Sequence, residues 1–273
     1  MVDQLAFHSA VLPGEKAVFG IAFSRLTGEQ IVRRMLFEPV PPGEGARLLA
    51  TANVDHISNL VRNARFRAAY QHAWVATADG MPVYLYARLR KGGVPGRVTG
   101  ADLTSVLLDR LPAWGRPFFV VGSAETAKRL RSKLTTGGIR DDAIGIACPP
   151  FGFENDPAAS TALAKAIRDH RTTHVLFGLG APKSEIWIHE HRRCLGDVYA
   201  LAIGASLDFY VGLRRRAPVW MQRGGLEWAW RVGSEPVRLF RRYFVESWYA
   251  VWAIALDLFD KHGSADNQGR LSA

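Results

Sequence analysis

Between residue 17 and about residue 210, short continuous apolar runs alternate with segments whose apolar residues recur at helical spacing. The runs are AVFGIAF (17–23), RLLATA (47–52), AWVATA (73–78), PFFVVGS (117–123), AIGIAC (143–148), THVLFGLG (173–180) and VYALAIGA (198–205), and they predict strands. The segments between them predict helices at about 27–36, 55–69, 81–90, 101–111, 124–136, 157–170 and 183–194. Continuous runs, as opposed to apolar–polar alternation, are what parallel strands covered on both faces require. The expected fold class is therefore α/β: a Rossmann-like, mostly parallel sheet with helices on both faces. Handed crossovers gather the strand-to-helix loops on one edge. Here those loops are TANVD, TADGM, VGSAE, LGAPKSE and GASLD, and chemistry is expected among them. PPGEG (41–45) and RKGGVPGR (90–97) read as plain loops from their Gly and Pro content.

The pattern changes after residue 212. In EPVRLFRRYFVESWYAVWAIALDLF (235–259), Val237, Phe240, Phe244, Trp248, Val251, Trp252 and Ala255 recur at helical spacing, with Arg238, Arg241 and Arg242 on another side. One reading is a core-docking helix with a solvated basic face. The other is a monotopic membrane contact, which arginines combined with interfacial Trp and Tyr favour. The expected organisation is a Rossmann-like domain over 1–212, a basic, aromatic helical appendage over 213–261 and a polar, disordered tail over 262–273.

Charge sharpens that division. The net charge is +10, and Gly212–Trp248 holds eight arginines against three acids, +5 by itself. Five of the eight tryptophans lie at or beyond residue 220. An anionic partner is implied: nucleic acid, a phosphorylated substrate or an acidic membrane surface. No signal peptide is expected, and no uncharged apolar run approaches the roughly 20 residues of a membrane span. Two cysteines without metal-ligand spacing fit a reducing cytoplasm.

Candidate chemistry starts at Asp79, at the carboxyl end of a predicted strand and immediately before a predicted helix. It reads either as an N-cap, stabilising that helix by roughly 1 kcal/mol, or as a catalytic carboxylate, because ligands of open α/β sheets bind at that edge. GLGAPKS (178–184) has Pro182 where a P-loop needs Gly, and it lacks the third glycine of a dinucleotide fingerprint. Its turn still presents backbone N–H groups to an anion. GASLD (204–208) lacks the last Gly of a nucleophile elbow. The eight histidines show no zinc-binding helical pair, and a metal site is not expected. No Asp-x-Asp occurs, so a leaving diphosphate would be neutralised by arginines instead of a carboxylate-held metal.

TANVDHI (51–57), TADGMPV (77–83), GRVTGADL (96–103), GLGAPKSEIW (178–187), IGASLDFYVGLRRRAPVW (203–220) and GLEWAWRVGSEPVRLFRRY (225–243) together resemble the WecG/TagA/CpsF glycosyltransferases, glycosyltransferase family 26. The resemblance implies inverting, metal-independent transfer from a UDP-sugar to a polyprenyl-diphosphate-linked saccharide, with no cofactor. It places Asp79 at the general base, and Thr51, Asn53 and Arg97 at the sugar-nucleotide pocket. Gly180, Lys183, Ser184 and Glu185 fall on the family's P-K-Q-E loop, and Arg231, Arg238 and Arg241 on arginines that approach the diphosphate. Ser184 stands where the family usually has Gln, so the donor implied is a UDP-sugar of either the family's N-acetylmannosamine type or a glucose type. An anionic membrane surface is an expected partner, at the inner face of the cytoplasmic membrane. A nucleic acid is not expected, and a homo-oligomer is left open. The rival reading is a basic nucleic-acid-binding α/β protein, which accounts for the charge but not for the loop motifs. A nicotinamide-dependent oxidoreductase is weakened by the missing fingerprint.

Overall fold

The computed structural model describes residues 17–90, 92–234 and 248–259. Six parallel strands form one sheet in the order β2-β1-β6-β5-β3-β4. They are β1 (Arg47–Ala52), β2 (Val75–Ala78), β3 (Pro117–Val120), β4 (Gly145–Ala147), β5 (His174–Phe177) and β6 (Tyr199–Ala202). Successive residues of a strand point to opposite faces, so each apolar run feeds two cores. Leu48, Ala50, Ala52, Val175 and Phe177 enter one, and Leu49, Leu176 and Leu201 the other.

The first core is covered by α2 (Val54–Arg62), α3 (Ala64–Gln71), α4 (Met81–Leu89), α7 (Pro157–Asp169) and α8 (Lys183–His191). The second lies beneath α1 (Gly28–Phe37), α5 (Gly100–Asp109), α6 (Ala124–Thr136) and the short α9 (Ser206–Tyr210). The expected α/β fold class is the one observed. Neighbouring strands β1 and β6 send their chains to opposite faces, β1 into α2 and β6 into α9. Such a divergence opens a crevice at the carboxyl edge.

Two expected elements differ. Residues 17–23 form no strand: Val18 pairs only with Ile21, across Phe19 and Gly20, which both have positive φ (58° and 70°). Gly20 makes that turn inexpensive, while Val18, Ile21 and Phe23 still fill the core. The single helix expected over 55–69 is two. Asn63 ends α2 with its N–H on the Asn59 carbonyl, and its side chain caps α3 by accepting from the Phe66 N–H at 3.1 Å. An Asn cap of this kind contributes about 1 kcal/mol.

Beyond α9 the chain forms α10 (Val219–Arg223) and α11 (Glu227–Ser234). Residues 235–247 and 260–273 lie outside the described residues, and with them most of the expected amphipathic run and the polar tail. Its last part is the helix Trp248–Phe259, packed along α2. Ala250 and Ala253 enter the first core, and Asp257 accepts from the Phe19 N–H (2.7 Å), the Tyr86 hydroxyl (2.9 Å) and Arg90 Nε (2.8 Å). Val251 and Trp252, read from the sequence as an apolar stripe, face outward at 53% and 57% exposure. Among the described residues no helix is long and apolar enough to cross a membrane.

Candidate active site

A cleft of about 640 Å³ opens at the carboxyl ends of β2, β1, β6 and β5. That volume lies in the range of small-molecule and cofactor sites. Thr51 and Asn53 reach it from the end of β1, Asp79 from the end of β2, Gly178–Ala181 from β5 and Gly204–Ser206 from β6.

Asp79 does not cap the helix that follows it. The N-cap of α4 is Gly80, which has no side-chain cap. The Asp79 N–H instead extends the ladder to the Ala52 carbonyl (2.9 Å), and its carboxylate Oδ2 accepts from the Gly100 N–H (3.2 Å). Gly100 is the first residue of α5, so the carboxylate lies at the positive end of a helix, where negative charge is favoured. Gly100 also has to be small. A Cβ there would stand 3.1 Å from Ser206 Oγ and 3.4 Å from Thr51 Oγ1, crowding β1 and β6 where they meet. Asn53 is the N-cap of α2 and accepts from the N–H groups of Asp55 (3.0 Å) and His56 (3.3 Å). Its amide therefore faces the cleft from a fixed position. Thr51 is 4% exposed and pairs in register with Thr77 of β2.

A second wall is built from the chain after α9. Arg214, Arg215, Glu227, Trp228 and Trp230 line it. Arg97 joins the two walls: it donates to the Asp79 carbonyl (3.4 Å) and the Gln222 carbonyl (3.3 Å), and pairs with Glu227 at 3.4 Å. Arg216 donates to Asp102 (2.6 Å) and lies 3.6 Å from the second oxygen of Glu227. Burial opposes the charge on both members of the Arg216–Asp102 pair. Their mutual hydrogen bond and attraction outweigh it, holding Asp102 below the ordinary carboxylate range and raising Arg216 above its own. Arg214 pairs with Asp208 at 3.1 Å, and Asp208 is held in turn by the Thr126 hydroxyl (2.9 Å).

The glycosyl transferase WecG/TagA/CpsF family matches residues 16–263. The chain belongs to this family. As a WecG/TagA/CpsF member it is a glycosyltransferase, and the match spans both walls of the cleft.

Of the site residues expected from sequence, Thr51, Asn53, Asp79, Arg97, Gly180 and Glu185 converge on the cleft. Lys183 and Ser184 do not line it. The Lys183 ammonium lies over the ring of Phe151 (5.6 Å), and the Ser184 hydroxyl turns back to the Gly180 carbonyl (3.1 Å). The cause is burial of α8 on several sides, from Ser184 through Ile188, which fixes which of its residues can face the opening. The side chain of Arg231 lies outside the described residues, as do Arg238 and Arg241 altogether. Sequence reasoning passed over His56, Arg214, Arg215 and Glu227 as individual residues, although each lies inside a quoted motif. The signal was there in LRRRAP (213–218), which follows the last strand-to-helix loop by four residues.

Proposed function

We propose that the protein transfers a sugar, with inversion, from a UDP-sugar of N-acetylmannosamine or glucose type to a polyprenyl-diphosphate-linked saccharide. The observation that carries the reading is the convergence of Asp79 and several arginines on one cleft. A carboxylate fixed between a strand end and a helix N-terminus shares the cleft with Arg214 and Arg215, and Arg97 bridges from the Asp79 carbonyl to the wall that bears them. In the proposed step an acceptor hydroxyl gives its proton to Asp79 while its oxygen bonds to the anomeric carbon. The bond from that carbon to the diphosphate oxygen breaks, and UDP leaves with the electron pair. Preorganised guanidinium groups match the charge that develops. Arg231, Arg238 and Arg241 are proposed to complete this set, so the step needs no metal.

A membrane-held acceptor fits the surface. Val251, Trp252, Leu256 and Leu258 on the C-terminal helix are exposed, as are Leu85 and Leu89 on α4, whose Tyr86 and Arg90 bind Asp257 of that helix. Exposed apolar side chains on neighbouring helices support a monotopic contact. The place of action proposed is the inner face of the cytoplasmic membrane. The test is mass spectrometry of products from purified protein given a panel of UDP-sugars and a short lipid-linked acceptor, with and without excess EDTA. A glycosylated acceptor in both conditions supports the reading. No product with any donor overturns it, and a requirement for added magnesium or manganese overturns the arginine clamp.

A further inference from the structure

The arginines around the cleft are not equivalent. Arg97 is paired with Glu227, Arg214 with Asp208 and Arg216 with Asp102. Arg215 lines the cleft and is exposed, and its side chain forms no hydrogen bond or ion pair among the described residues. Its backbone carbonyl accepts from the Trp230 indole N–H at 3.3 Å. Trp230 is half-buried, lines the same cleft and stacks on no other aromatic ring among the described residues. It lies on α11 three residues after Glu227 and four before Ser234, spacings that share one helix face. All three residues line the cleft. With its N–H committed to Arg215, the indole has only its apolar surface left to offer.

We propose that Arg215 and Trp230 form the nucleotide grip of the cleft, the guanidinium binding the diphosphate and the indole stacking on the pyrimidine base of the same ligand. The proposal rests on the UDP-sugar reading above and names the two groups that hold the nucleotide half. A nucleoside diphosphate carries concentrated negative charge beside a flat, uncharged ring. The charge calls for a cation that is not already matched, because a guanidinium paired with a carboxylate brings no net charge to the ligand. Arg97, Arg214 and Arg216 each bring an acid with them, and Arg215 does not. Its planar fork also fits phosphate oxygens. The base calls for an aromatic surface, which any pyrimidine can stack on. The hydrogen bond from the indole to the Arg215 carbonyl fixes the two groups as neighbours. Glu227, one turn of α11 before Trp230, is tied through Arg97 to the Asp79 carbonyl. The indole thus stands about 5 Å along the helix from that link, which leaves the space beside Asp79 for the sugar.

Calorimetric titration of UDP into wild type, Arg215→Gln, Trp230→Leu and Trp230→Phe tests this, with inorganic diphosphate as competitor and thermal melts to confirm folding. Arg215→Gln is expected to weaken UDP at least about tenfold, the low end for a hydrogen bond to a charged group, and inorganic diphosphate by a similar factor. Trp230→Leu should weaken UDP at least about fivefold, the low end for a base stacked on an aromatic ring. It should leave inorganic diphosphate within about twofold, since that ligand has no base to stack. Trp230→Phe keeps a ring and should recover most of the UDP affinity. In wild type, UDP but not inorganic diphosphate should quench tryptophan fluorescence, and the quenching should shrink in Trp230→Phe. Normal UDP affinity in folded Arg215→Gln or folded Trp230→Leu would overturn this proposal alone. Equal weakening of UDP and inorganic diphosphate by Trp230→Leu would assign the indole to the shape of the wall and overturn the base contact. So would UDP binding to wild type with no change in tryptophan fluorescence, a result that stands even where a variant fails to fold. Wild type binding neither UDP nor any UDP-sugar would remove the underlying reading together with this one.

Discussion

The two walls of the cleft are held by different forces. Thr51, Asn53 and Asp79 stand on strand ends whose backbone is locked by parallel pairing, and the carboxylate of Asp79 is further fixed by the first N–H of α5. The wall after α9 carries no strand among its described residues. It meets the first wall through side chains, chiefly Arg97 to Glu227 and Arg216 to Asp102. The C-terminal helix, from the same basic, aromatic region, is attached in a third way, through a buried carboxylate. The lesson is a division of labour. In the proposed mechanism, proton transfer requires a group within hydrogen-bond reach of the reacting atom and is assigned to the sheet. Charge matching of a diphosphate tolerates more displacement and is assigned to the wall that side chains hold.

The hardest test of that division is Asp79→Asn. Turnover should fall between roughly a hundredfold and ten-thousandfold, the range for general-base assistance, while the melting temperature holds, because Asn can still accept from the Gly100 N–H. Initial rates and a melt on the same sample check it, and near-normal turnover in a folded variant removes Asp79 from the chemistry. Next comes Asp257→Ala. Asp257 and Arg90 have side chains only 9% and 11% exposed. Leaving Arg90 buried without its partner should cost about 3–5 kcal/mol, read as a lower urea midpoint. A cost below about 1 kcal/mol, the scale of a surface pair, would place the C-terminal helix in the same loosely held class as the second wall.

The sheet also has its own pH limit. Burial depresses the His174 pKa from 6.5 to about 4, although its Nε2–H donates to the Met35 carbonyl. Above pH 6.5 the ring is neutral in both states, so it makes no pH-dependent difference. As pH falls from 6.5 to about 4, the unfolded chain takes up a proton that the folded one refuses, and up to about 3 kcal/mol of stability is lost. Urea unfolding across that window should show the loss, and His174→Gln should flatten it. An unchanged slope in the variant would assign the acid sensitivity to other groups.

What the sequence makes legible follows the same line between backbone and side chain. Continuous apolar runs mark all six strands, because a buried parallel strand must be apolar on both faces, and Thr51 at the end of β1, with Asn53 and Asp79 just beyond β1 and β2, lies at the cleft. Periodicity is blind to single-residue events. The positive φ of Phe19 and Gly20 turns an apolar run into a bend, and Asn63 divides one helical pattern into two capped helices. It is equally blind to the rotation of a buried helix, which directs Glu185 into the cleft but Lys183 and Ser184 away from it. In the C-terminal helix it groups Val251 and Trp252 as one apolar stripe without saying whether that stripe docks on the core, and the core contact is made by two small residues, Ala250 and Ala253. Close packing selected small side chains there, and a reading weighted to bulk overlooks them.

The smallest expected effect bears most directly on the comparison. Asp102 donates nothing to the cleft itself, but its carboxylate holds Arg216, and Arg216 adjoins Glu227, the partner of Arg97. Asp102→Asn keeps the shape and removes the charge. The Asp102 side chain is 54% exposed, so solvent screening limits the loss of stability to less than about 1 kcal/mol. The effect on function should be a donor KM raised about two- to fivefold, the equivalent of that energy, with kcat nearly unchanged. The pH dependence has a definite sign. The folded pKa of Asp102 is depressed, so its contribution is present above the ordinary carboxylate value and disappears as pH falls through the lower folded one. Wild type and variant should therefore differ in stability at pH 7 and converge in strong acid. A fall in kcat comparable to that of Asp79→Asn would mean that the second wall positions the reacting atoms as tightly as the sheet does. The division between a rigid chemical wall and a wall that only gathers charge would then fail.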